Sequence, residues 1–79
     1  MKSAHSPTYK AAIAVLKDAR RRAGLTQQAL ASRLRRPQSF VAKFERGERR
    51  IDVAEFIEIA EAMEASPVRL FAAVVRTRA

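Results

Sequence analysis

Glu55, Glu58 and Glu61 stand at three-residue steps, a spacing that on a helix lines three carboxylates along one side and raises the question of metal or acid–base chemistry. A hard cation needs oxygen ligands converging from a loop or from several elements, and these three share one element. The row reads as a solvated face, and no metal or cofactor is expected. His5 is the sole histidine, Cys is absent, and two isolated glycines, Gly24 and Gly47, do not build a phosphate-cradling loop. Nucleophilic, zinc and nucleotide chemistries therefore lack parts, and the sequence does not read as an enzyme.

What remains is positive charge. Sixteen Lys and Arg oppose eight acids, for a formal +8. Residues 1–50 hold 13 basic groups and three acids, a net of +10, whereas residues 51–79 hold three basic groups and five acids, a net of −2. One end is suited to a polyanion and the other is not. Seventy-nine residues, 48% of them hydrophobic, suit one small globular domain, read as residues 7–79 behind an arm at residues 1–6. No stretch reaches the roughly 18 apolar residues of a membrane span, nor does the N-terminus carry a secretory apolar core, so a cytoplasmic protein that does not bind membranes is expected.

The periodicity predicts five helices and no strand. Tyr9, Ala12, Ile13, Leu16, Ala19 and Ala23 recur at helical steps over about 8–23, after Ser6 and Pro7 and before Gly24. Thr26 caps a short second helix, 27–34, with Leu25 and Leu30 as its hydrophobic staple. A third begins at or just after Pro37, buries Val41 and Phe44, and stops near Gly47. Asp52 and Glu55 form a capping box for the fourth, whose buried face is Val53, Phe56, Ile57, Ala60 and Met63. Ser66 and Pro67 open the fifth, which carries Val68, Leu70, Phe71, Val74 and Val75 and frays in its Arg-containing tail.

Two short helices joined by a tight turn in a basic, all-helical domain have the layout of a helix-turn-helix, whose second helix enters the major groove. Ala31 is small where the two helices must cross closely, and Leu30, Leu34, Val41 and Phe44 supply the contacts that set their angle. The stretch 25–63 closely resembles the repressor and Cro type of helix-turn-helix, also called the xenobiotic-response-element type. The residues that carry the likeness are Gly24-Leu25-Thr26-Gln27, the run from Pro37 to Gly47, and Ile59-Ala60-Glu61-Ala62-Met63.

That resemblance implies a compact, lambda-repressor-like five-helix fold and a sequence-specific regulator that binds double-stranded DNA. By the likeness, Gln27 bonds a phosphate at a helix N-terminus. Gln38 and Ser39 face base edges, with Ala42 and Lys43 one turn on. Gln suits adenine, Ala42 a thymine methyl, and Lys43 either a guanine or only a phosphate. Arg36, Arg46, Arg49 and Arg50 surround the helix and contact phosphates. Arg20 late in the first helix pairs with Glu45 late in the third. Phe40 is expected to pack on a neighbouring helix rather than on DNA.

Three positions depart from the family pattern. Arg35 stands where Gly is usual, so the turn either differs or carries about 1 kcal/mol of left-handed strain. Arg36 replaces an apolar residue, and Ala29 stands where an acid would complete a capping box. Leu70, Phe71, Val74 and Val75 offer more apolar surface than a terminal helix needs, which points to a homodimer reading an inverted repeat with half-sites about 10 base pairs apart. The other reading is a module that captures a protein partner, antitoxin-like, with secondary DNA binding. A controller of restriction-modification genes is a regulator subtype that the residues do not separate from a general repressor.

Overall fold

A computed structural model describes residues 6–78 of the chain. The expected arm lies outside the described residues except for Ser6, whose hydroxyl accepts from the Tyr9 N–H at 3.0 Å and so caps the first helix. That helix, α1, runs Pro7–Arg22, with proline in its first turn where a missing N–H costs nothing. Ala23 is its exposed C-cap and not part of the core stripe, because the helix ends one residue early. Gly24 follows with φ of 74° and turns the chain back.

α2 spans Gln27–Leu34 under a Thr26 cap. α3 spans Gln38–Glu45; Pro37 at its N-cap offers no side-chain acceptor, so the first N–H groups of α3 carry no side-chain cap. Between them Arg35 sits at φ 57°, ψ 42°, which resolves the turn as left-handed and strained instead of rebuilt. α4, Val53–Ala62, opens with both bonds of the Asp52–Glu55 capping box. α5, Pro67–Thr77, is capped by Ser66 and stays helical into its Arg-containing tail.

Fully buried Leu16, Leu30, Val41, Phe44 and Ile59 draw one residue or more from each of α1 to α4 into one core. Ala31 has no exposed surface, which allows α2 and α3 to approach closely. α1 packs along α5, closing the bundle from the far side. The Tyr9 hydroxyl accepts from the Ile51 N–H at 2.8 Å, pinning the α3–α4 connection to α1. The described residues form an all-α fold of five helices, none long and apolar enough to cross a membrane.

Candidate nucleic-acid interface

α3 divides along its length. Val41 and Phe44 point into the core with no exposed surface, while Gln38, Ser39 and Lys43 are exposed on the other side. Ala42, expected to face a thymine methyl, is 8% exposed in the free chain. It lies one residue from Val41 and three from buried Glu45, at the border of the packed face.

What holds α3 is a buried pair. Arg20 on α1 donates from Nε to Glu45 Oε2 at 2.7 Å and from Nη2 to Oε1 at 3.0 Å, two parallel bonds of the kind a guanidinium fork makes with a carboxylate. The third arm, Nη1, donates to the Leu25 carbonyl at 2.8 Å. Glu45 Oε1 also accepts from Gln27 Nε2 at 3.0 Å, and Gln27 Oε1 accepts from Gln38 Nε2 at 2.9 Å. A single polar chain thus runs from α1 through the core to the first residue of α3. The half-buried Gln27 side chain bonds within the protein along this chain, and its bond with Gln38 is exposed.

The arginines expected on phosphates fall into two groups. Arg46 and Arg50 are exposed. Arg46 is paired at the surface with Glu48, whose carboxyl is held below its ordinary value first by that hydrogen bond and then by the same positive charge. Arg36 and Arg49 are different. Arg49 makes a fork to Glu55, Nη1 to Oε1 and Nη2 to Oε2 at 3.1 Å each, and Arg36 Nη2 reaches the same Oε2 at 3.2 Å. Both guanidiniums also lie over the Phe40 ring, at 4.3 and 4.8 Å from its centroid.

Glu55 therefore does not belong to a solvated acidic face with Glu58 and Glu61, which are exposed. Its carboxylate, mostly buried, accepts from Arg36, Arg49 and the Asp52 N–H. The bond from Arg49 holds it below the ordinary carboxylate value, with burial opposing. Local spacing revealed the Asp52 contact; nothing in the sequence pattern marked the two arginines that return to Glu55 from α3's flanks. Phe40 is buried beneath them and meets Phe44 edge-on at 5.4 Å, in line with the packing role expected of it.

A model of the helix-turn-helix domain matches residues 14–73. Among solved structures the chain is similar to an XRE-family like protein from Pseudomonas syringae pv. tomato str. DC3000, at 43% identity and a TM-score of 0.83 over 87% of this chain and 84% of that one. The chain belongs to the XRE/Cro-like helix-turn-helix family. No curated protein matches it. Membership makes this XRE-like chain a DNA-binding transcription regulator with a lambda-repressor-like fold, from a family whose members are typically not enzymes.

Away from the basic surface, the XRE-like domain exposes apolar side chains. Val53 and Ile57, expected on the buried face of α4, are exposed at 76% and 40% because that edge of the helix faces the open groove and not the core, and Val68 at 78%, Phe71 at 59% and Val75 are exposed with them. Val53, Ile57, Val68 and Phe71 border a groove of about 440 Å³ between α1, α4 and α5, across which Phe56 and Phe71 meet edge-on at 6.1 Å. Two residues expected at a dimer face are occupied elsewhere: Val74 is 5% exposed, and Leu70 is half-buried against the core. α5 runs along α1 and must spend one side of its apolar surface closing the monomer.

Proposed function

We propose that the chain is a sequence-specific transcriptional regulator that binds an inverted-repeat operator as a homodimer, each copy laying α3 in a major groove. Gln38 and Ser39 read base edges, and Lys43 one turn further reaches a base or a phosphate. Arg46 and Arg50 supply phosphate contacts beside α3, and the backbone at Gln27 offers another where α2 begins. The observation that carries the reading is the chain from buried Arg20 and Glu45 through Gln27 to Gln38. A side chain oriented in advance gives up little freedom when it meets a base. Residues 7–79 act as one unit in the cytoplasm.

Val53, Ile57, Val68, Phe71 and Val75 form the dimer face, with a second copy covering the groove. The same groove also favours the interaction-module reading, in which a partner protein docks there and DNA binding is secondary. Selection from a randomised duplex library at physiological salt tests both. An enriched inverted repeat supports the dimeric regulator, and a lone half-site removes the dimer. No enrichment leaves backbone binding only and moves the weight to the interaction module.

A further inference from the structure

We infer that Glu55 limits the sequence-independent affinity of the chain for DNA: it holds Arg36 and Arg49 against the protein and so keeps two cations off the DNA backbone. The inference rests on the reading of α3 as the DNA-reading helix. Glu55 accepts one bond from Arg36 and two from Arg49, and its side chain retains 13% of its surface, against 38% and 40% for the two arginines. The arginines are further tethered: both stack over Phe40, and Arg49 Nη1 also donates to the Arg50 carbonyl at 2.6 Å.

The consequence concerns affinity for DNA of any sequence and its dependence on salt. Each Lys or Arg that neutralises a phosphate adds affinity for every duplex alike, because counterion release does not depend on sequence. A chain of formal charge +8 has an abundance of that affinity. A carboxylate shared by two guanidiniums, one placed just before α3 and the other just after it, lowers bulk affinity where base-reading side chains meet the duplex.

Glu55→Gln separates this role from helix capping. A Gln at the third helical position still accepts the Asp52 N–H, so α4 keeps its cap while the charge is lost. The measurement is fluorescence anisotropy of the full chain on an unrelated duplex and on the selected operator across a salt series, with circular dichroism to confirm folding. On the unrelated duplex the variant is expected to steepen the slope of log K against log salt by about 0.9 for each freed guanidinium, about a 3.5-fold greater loss per fourfold rise in salt. The operator gains to the same degree, so the ratio between the two duplexes is expected to hold.

An unchanged slope in a folded variant overturns the inference, and a shallower one shows that Glu55 presents the arginines to phosphate instead. Should Glu55→Gln fail to fold, Arg36→Ala and Arg49→Ala in the native background decide. Both leave the bulk slope unchanged if Glu55 already withholds them, and each flattens it by about 0.9 if they sit on phosphates. Failure of the underlying reading looks different: the native chain then shows no preference for any duplex, and the inference falls with it.

Discussion

Arg20 and Glu45, 25 residues apart in the chain, meet as a doubly hydrogen-bonded pair that is only 8% exposed at either residue. It joins the helix before the helix-turn-helix to the far end of α3. Removing one partner from such a pair leaves a charge buried without compensation, so Glu45→Gln is expected to cost about 3 kcal/mol in chemical denaturation. Replacing both residues with Met restores much of that loss, since the surviving charge is then absent too. A cost near zero for Glu45→Gln contradicts the role of the pair in holding α3.

The amide chain beyond the pair acts on recognition. Gln38→Ala is expected to lose about 1–3 kcal/mol on the selected operator and to relax the preference at one base pair. Gln27→Ala leaves Gln38 in place but removes the amide that orients it at 2.9 Å. The same base pair should then relax, by a smaller amount. Base preference measured by repeating the library selection checks both, and relaxation at different positions breaks the link between the two residues.

Much of this organisation was legible in the residues themselves. Caps and prolines are local signals, and Ser6, Thr26, Asp52 and Ser66 each stand at the start of a helix. Periodicity gives the face of a helix but not the neighbour that covers it. Val74 and Val75 look alike in sequence, yet only Val74 is enclosed, since α5 turns that side toward the rest of the bundle. Glu55 was half legible: its bond to Asp52 spans three residues, whereas Arg36 reaches it from 19 residues away.

Arg35 holds a left-handed conformation in the α2–α3 turn with a side chain that makes it costly. Arg35→Gly relieves about 1 kcal/mol of strain and costs about 0.5 kcal/mol in unfolded-state freedom, a net gain of roughly 0.5 kcal/mol. In a domain of this size that raises the thermal midpoint by a few degrees, on a scale of about 4–8 °C per kcal/mol. A lowered midpoint means that the Arg35 side chain contributes more than the strain removes.

Acid sensitivity follows from Glu55. Its folded-state pKa is depressed, chiefly by the bond from Arg49, so the unfolded chain takes up its proton first as pH falls. Its contribution is complete above the unfolded value of about 4.3 and is lost as pH drops through the lower folded value. Urea midpoints at neutral pH and at about pH 3 should therefore lie closer together for Glu55→Gln than for the native chain. An equal separation in both assigns the acid loss to other carboxylates.

The dimer face makes the sharpest contrast between two valines of α5, Val68 and Val74. Val68 is 78% exposed, so Val68→Lys changes monomer stability by no more than about 0.5 kcal/mol, the usual range for surface positions. If a second copy covers the groove, the added charge is desolvated twice across the two-fold axis and the dimer is lost. Sedimentation equilibrium should then show a monomer, and operator binding should fall to the affinity of one half-site. Val74→Asp buries an unpaired carboxylate at a 5% exposed site and unfolds the domain instead, whatever its assembly state. A Val68→Lys chain that still dimerises places the interface on another surface and leaves the groove free for a different protein.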